Sequence, residues 1–127
     1  MANQNLAPRS MATILLVDDE QLLLHACARL LEGSGFHVIV ASDGAEALEL
    51  VRSTRPAIVV TDLNMPVLDG AGLCRAIKAD ESLKETPLIV CTASDWSAPT
   101  GLCEGVLRKP VERDILIHLI GSLLPGK

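Results

Sequence analysis

The stretch ILLVDDE at residues 14–20 joins a short apolar run to three consecutive acidic residues. An uninterrupted apolar run of this kind is typical of a parallel strand that helices cover on both faces. Similar runs recur along the chain and predict five strands: Thr13–Val17, His37–Ala41, Ala57–Thr61, Leu88–Thr92 and Val106–Leu107. Segments of helical period separate them, and this alternation favours an α/β fold with a doubly wound parallel sheet.

The spacing of apolar residues predicts the helices between these strands. Three are clear, and a last one follows Pro110: Glu20–Leu31, Ala45–Arg52, Gly70–Ala79 and a helix that ends at about Leu124. The segment between Thr92 and Val106 fits poorly, because Pro99 and Gly101 interrupt it. We therefore expect a short or irregular fourth helix there.

The length of 127 residues corresponds to one domain, which we place at residues 12–124. Residues 1–11 are interpreted as a flexible leader, and residues 125–127 as a tail or the start of a linker. The chain has neither a run of about 20 apolar residues nor the apolar core of a secretion signal. We expect a cytoplasmic protein that does not enter the membrane.

Charge and aromatic content exclude nucleic acid as a direct partner. Eleven Lys and Arg residues against sixteen Asp and Glu residues give a net charge of −5. Only Phe36 and Trp96 are aromatic. A protein that binds a phosphate backbone needs clustered positive charge, and one that binds single strands needs aromatic surfaces for stacking.

Carboxylates follow two of the predicted strands. Asp18 and Asp19 come after the first strand and Asp62 after the third. In a sheet with strand order 2-1-3-4-5, strands 1 and 3 are neighbours and ligands bind outside their carboxyl ends. We expect these three carboxylates to lie together, where their mutual repulsion favours a bound cation. Hard oxygen ligands suit Mg²⁺.

The next two strand ends add a hydroxyl, Thr92, and an ammonium, Lys109, which Pro110 follows. Carboxylate, divalent cation, hydroxyl and ammonium around one point suit a phosphoryl group, and Asp is a known type of covalent phosphate acceptor. Each residue alone has a simpler explanation, since Asp and Asn often cap helices or form turns. Their combination at successive strand ends carries the functional prediction.

On these residues the sequence closely resembles the receiver domain of two-component response regulators, from Thr13 to about Leu124. The matching text is ILLVDDE at 14–20, VVTDLNMPVLDG at 59–70, IVCTAS at 89–94 and LRKP at 107–110. The resemblance implies a flavodoxin-like (βα)₅ fold. It also implies a switch that catalyses its own phosphorylation and dephosphorylation and turns over no external metabolite.

The resemblance assigns a role to each site residue. Asp62 is expected to take phosphate from a histidine kinase or a histidine phosphotransfer protein. Asp19 and Asp62 are expected to bind Mg²⁺ with the Asn64 backbone carbonyl, and Asp18 to assist through water. Lys109 is expected to pair with phosphoryl oxygens. Thr92 is expected to turn towards the phosphate and report its presence to a downstream effector protein or domain.

Two departures affect how the signal is read. Val106 stands where the family usually has an aromatic switch residue, and the interval from Thr92 to Lys109 is shorter than usual. The last helix also carries a second apolar stripe, Ile115 and Leu119. This stripe either contacts a partner, for example in a homodimer, or packs against the remodelled loop around Trp96. The residues leave both possibilities open.

Two other functions compete with the switch. One is a pseudo-receiver, which binds a partner independently of phosphorylation. The other is a phosphohydrolase of the aspartyl-phosphate kind, whose second acid would stand where this chain has Asn64. Because every residue needed for phosphorylation is present, the switch is favoured. Neither the kinase, the output pathway nor an effector domain after Lys127 can be named from these residues.

Overall fold

Five parallel strands form one sheet in the computed structural model, which describes residues 12–124. The strands are β1 (Thr13–Val17), β2 (His37–Ala41), β3 (Ile58–Asp62), β4 (Leu88–Thr92) and β5 (Gly105–Arg108). Their order across the sheet is β2-β1-β3-β4-β5, which confirms the predicted topology. The leader predicted at 1–11 and the tail at 125–127 lie outside the described residues.

Helices cover both faces of the sheet. They are α1 (Gln21–Gly33), α2 (Gly44–Thr54), α3 (Gly70–Ala79) and α4 (Arg113–Leu123). Two start at aspartates whose carboxylates accept backbone N–H groups, Asp43 from Glu46 and Asp69 from Gly72, each at 2.8 Å. Such caps satisfy the free donors of a helix start and fix where it begins. No helix within residues 12–124 is long and apolar enough to cross a membrane.

The prediction of a short or irregular fourth helix between Thr92 and Val106 is wrong. Residues 93–104, between β4 and β5, contain turns and irregular backbone but no helix, so the fold has one helix fewer than (βα)₅. Pro99 has no N–H to donate, and Gly101 takes a left-handed conformation with φ of 82°. The loop still buries Leu102 and packs Trp96 against the core, so it covers part of the sheet that a helix would cover.

The core has two halves, one on each face of the sheet. Side chains of α2, α3 and the 93–104 loop fill one half, and those of α1 and α4 fill the other. Trp96 belongs to the first half and Leu119 to the second. The possibility that Ile115 and Leu119 pack against the Trp96 loop is therefore wrong. Leu119 packs over Gly105 of β5, whereas Ile115 stays 52% exposed.

Gly70 lets α3 approach the end of β3. A Cβ atom there would collide with the Asp62 carbonyl oxygen and lie 2.9 Å from the Leu63 Cα, both of which are backbone atoms. The Gly70 N–H also donates to the Leu63 carbonyl at 2.8 Å. The start of α3 thus lies directly against the backbone of Asp62, at the end of β3.

We predict that Gly70→Ala lowers the free energy of unfolding by about 1–3 kcal/mol, because the backbone of β3 must move to admit the methyl group. Urea unfolding measures the change. Gly121→Ala is the matched control in α4, where a Cβ meets nothing within 4 Å. That variant should be neutral or up to about 1 kcal/mol more stable. Equal effects at the two positions would contradict the close approach at Gly70.

Candidate functional site

Three carboxylates meet at the carboxyl edge of the sheet, as the sequence predicts. Asp18 and Asp19 directly follow β1, and Asp62 is the last residue of β3. These strands pair with Val17 opposite Thr61, so their ends lie side by side. One carboxylate oxygen from each aspartate lies within 4.8 Å of the other two. An all-oxygen donor set at this spacing fits a hard cation such as Mg²⁺.

Lys109 extends its ammonium into this cluster. Its Nζ lies 2.9 Å from Asp62 Oδ1 and 3.5 Å from Asp18 Oδ2. The Lys109 N–H donates to the Thr92 carbonyl at 2.8 Å, which holds the backbone of Lys109 against the end of β4. The Lys109 ammonium thus lies at the cluster, as the sequence predicts, and it contacts two carboxylates directly.

Burial and neighbouring charges shift the pKa values of Asp62 and Lys109. The Asp62 side chain is only 10% exposed, and burial raises its pKa although Lys109 and a backbone N–H oppose the rise. Burial by itself would lower the pKa of Lys109, but the hydrogen bond and charge of Asp62, with Asp18, raise it. Lys109 therefore stays charged at neutral pH and offsets part of the carboxylate repulsion.

Thr92 lies at the end of β4 but does not contact the carboxylates. It is 1% exposed, and within residues 12–124 its hydroxyl bonds only to Ser94, at 3.0 Å from the Ser94 Oγ and 3.1 Å from the Ser94 N. The predicted hydroxyl is thus beside the site, turned towards its own loop. A rotation of Thr92 would be needed to reach a phosphoryl group.

The other predicted residues are Asn64, Val106 and Trp96, which lie in two loops and on β5. Asn64 is exposed in the loop between β3 and α3. In the same loop Val67 has a φ of 71°, a left-handed conformation that costs a β-branched residue about 1–3 kcal/mol. Val106 is 38% exposed on β5, and Trp96 is half-buried in the 93–104 loop.

An ion pair next to the site escaped the sequence prediction. Arg108, the last residue of β5, binds Asp95 with 2.6 Å between the guanidinium and the carboxylate. Its Nε also donates to the Ala93 carbonyl at 3.3 Å. In the sequence, only the position of Arg108 directly before Lys109 indicated that it lies near the site. Its partner Asp95 could not be predicted, because Asp95 belongs to an irregular loop.

An apolar cleft of about 540 Å³ opens beside Asp62 and Lys109, between α1 and the start of α4. We call it the α1–α4 cleft. Leu23 and Leu30 of α1 line it and are about half exposed. Cys91 also lines it, and burial raises the pKa of that thiol to about 12, so it is uncharged. The site therefore adjoins an apolar surface along α1.

Comparison with known proteins agrees with this geometry. The family model for the response regulator receiver domain matches residues 14–120. PilH of Pseudomonas aeruginosa is 31% identical, over 91% of this chain and 100% of its own length. The response regulator MprA of Mycolicibacterium vanbaalenii is 42% identical over 87% of this chain. The matched region covers 49% of MprA.

A solved structure is similar at the level of the whole fold. The receiver domain of the sensor histidine kinase PA1611 from Pseudomonas aeruginosa superposes with a TM-score of 0.83 at 26% identity. The match covers 91% of this chain and 99% of that one, and that structure has a magnesium ion in its active-site cleft.

The chain belongs to the response regulator receiver domain family. It is a receiver domain of two-component signalling, a class of signalling switches rather than metabolic enzymes. The family binds Mg²⁺ in its active site, and the acidic cluster of Asp18, Asp19 and Asp62 is present here.

We predict that Lys109→Gln lowers the free energy of unfolding by about 1–3 kcal/mol in EDTA. The largely buried carboxylates of Asp18 and Asp62 then lose the ammonium group that pairs with them. Saturating Mg²⁺ should reduce the deficit, since the metal binds the folded state and replaces the lost charge. Thermal unfolding with EDTA and with Mg²⁺ measures both effects.

Lys84→Gln is the matched control, because the Lys84 ammonium pairs with Glu81 on the surface. Exposed pairs contribute about 0–1 kcal/mol, so this variant should unfold like the wild type under both conditions. A Lys109→Gln deficit that Mg²⁺ leaves unchanged would argue against charge compensation at the cluster.

Proposed function

We propose that this domain is a phosphorylation switch in which Asp62 accepts a phosphoryl group from a phosphohistidine of a histidine kinase or a histidine phosphotransfer protein. The observation that carries this proposal is the 2.9 Å contact between Asp62 Oδ1 and Lys109 Nζ beside the carboxylates of Asp18 and Asp19. The absence of a membrane-length helix in residues 12–124 is compatible with the cytoplasmic location that we propose for it.

The transfer requires a nucleophile and compensation of charge. A carboxylate oxygen of Asp62 attacks phosphorus, a P–O bond forms, the P–N bond to histidine breaks, and the imidazole leaves with the bonding electron pair. Lys109 pairs with phosphoryl oxygens after it gives up part of its contact with Asp62. Asp19, Asp62 and the Asn64 carbonyl, with Asp18 through water, would hold Mg²⁺, which would neutralise further phosphoryl charge.

The phosphorylated state is read through Thr92. Its hydroxyl leaves Ser94 and donates to the phosphoryl group on Asp62, which displaces the 93–104 loop and alters the surface beside β5. A downstream effector protein or domain binds this altered surface. Trp96, four residues along the chain in the same loop, senses the change.

The alternative functions receive less support. A pseudo-receiver needs no functional phosphoacceptor, yet Asp62, Lys109 and the acidic cluster are assembled here. A phosphohydrolase needs a second acid two residues after Asp62, where this chain has Asn64. We therefore favour a switch that takes and loses one phosphoryl group.

We predict that acetyl phosphate with Mg²⁺ adds one phosphoryl group to Asp62, and that beryllofluoride, a phosphoryl mimic, changes the fluorescence of Trp96. Intact-mass spectrometry with borohydride trapping locates the adduct, and a fluorescence titration follows the mimic. Both signals should require Mg²⁺ and disappear in Asp62→Asn.

Asp114→Asn serves as the control, because Asp114 lies on α4 and pairs with the exposed Arg113. It should retain both signals. If the wild-type chain gives neither signal, and a partner still binds Asp62→Asn, the pseudo-receiver is the correct function.

The α1–α4 cleft supports a docking site for the phosphohistidine donor. A donor protein must bring its imidazole to Asp62, and the apolar wall at that opening is formed by Leu23 and Leu30. These residues are seven positions apart on α1 and so lie on one face of the helix. An apolar stripe of this spacing fits the side of a donor helix.

We predict that the double variant Leu23→Gln, Leu30→Gln slows phosphotransfer from a kinase that phosphorylates the wild-type chain by about tenfold, the effect of losing about 1.4 kcal/mol of contact. Labelling by acetyl phosphate should be unchanged, because that donor needs no docking surface. Ile115→Gln, which removes a similarly exposed side chain outside the cleft, is the control. Equal slowing with both donors would instead indicate damage to the site itself.

A further inference from the structure

Arg108 ties β5 to the residues that follow Thr92. The guanidinium lies 2.6 Å from Asp95 Oδ1, and its Nε donates to the Ala93 carbonyl at 3.3 Å. Arg108 and Val106 are two positions apart on β5 and so point to the same face of the sheet. This is the face of Trp96 and of the 93–104 loop.

These two contacts lie on either side of Ser94, the residue that binds the Thr92 hydroxyl. The Ser94 N–H donates to Thr92 Oγ1 at 3.1 Å, and the two hydroxyl oxygens are 3.0 Å apart. Because Ala93 and Asp95 both contact one guanidinium, the position of Ser94 between them is restrained. Thr92 cannot leave Ser94 without losing a hydrogen bond or moving this segment.

We propose that Arg108 is a positioning residue that holds residues 92–95 in the conformation where the Thr92 hydroxyl faces Ser94, and so opposes its rotation towards the phosphoryl group on Asp62. This role rests on the proposed function of Asp62. Arg108 then links the site to the surface on this face of β5. Val106, on the same face, is too small for this role and has no polar group.

The chemistry of the side chain suits this role. A guanidinium presents several N–H donors in a rigid plane, so it binds a carboxylate and a carbonyl at once, which a lysine ammonium does with far less geometric control. The side chains of Arg108 and Asp95 are 60% and 92% exposed. An exposed pair is weak enough to break during switching, and we expect its loss to change equilibria by about two- to fivefold.

The test compares the affinity for beryllofluoride in saturating Mg²⁺, measured by isothermal titration calorimetry and by Trp96 fluorescence. Arg108→Gln and Asp95→Asn should each bind about two- to fivefold more tightly than the wild type. The double variant should match Arg108→Gln, because that single variant already removes the contact with Asp95. Arg108→Lys, which keeps the charge without the planar fork, should also bind more tightly.

The direction of the Arg108→Gln effect separates positioning from plain electrostatics. Removing a positive charge beside an anion site should by itself weaken binding of the anionic mimic. Arg113→Gln is the comparator, since Arg113 lines the α1–α4 cleft beside Asp62 and Lys109 but contacts no residue of the 92–95 segment. It should bind the mimic as the wild type does or more weakly.

Two results overturn the positioning role. One is Arg108→Gln with affinity unchanged or weakened like Arg113→Gln, and the other is additive effects in the double variant. In either case the wild-type chain still binds the mimic and forms the Asp62 adduct, so the proposed function stands. If the wild-type chain binds no mimic and forms no adduct, the proposed function fails and this role fails with it.

Discussion

Repulsion among the carboxylates of Asp18, Asp19 and Asp62 is the constraint on which the rest of the site depends. Their oxygens lie within 4.8 Å of one another, a spacing that is unfavourable without positive charge. Lys109 supplies one such charge through its contacts with Asp62 and Asp18. The remaining negative charge favours a divalent cation at this edge of the sheet.

Backbone contacts keep this unfavourable arrangement in place. The pairing of β1 with β3 sets the aspartates side by side, and the hydrogen bond from Lys109 N–H to the Thr92 carbonyl fixes the base of the lysine. Gly70 allows α3 to close on the end of β3. These contacts are made by backbone atoms and not by the charged groups themselves. Together they hold the three carboxylates close to one another despite their repulsion.

The loss of a helix between β4 and β5 changes what surrounds Thr92. Residues 93–104 cover the sheet with Leu102 and Trp96, leaving Val106 partly exposed and Arg108 free to reach back to Asp95. The segment next to Thr92 is therefore held by an exposed ion pair rather than by packing of an aromatic side chain. Such contacts are weaker and more sensitive to salt than buried apolar ones.

Apolar runs were enough to predict the strands, because the pattern of each run is local. With the strand order 2-1-3-4-5, the acidic strand ends then predict the cluster of Asp18, Asp19 and Asp62. Pro99 and Gly101 signalled a disturbed helix, but only the tertiary structure showed that no helix forms there. It alone decided that Thr92 faces Ser94, that Leu119 covers β5 and that Arg108 binds Asp95. The Thr92 and Arg108 contacts involve an irregular loop, and the Leu119 contact depends on how α4 packs on the sheet, so neither follows from a periodic pattern.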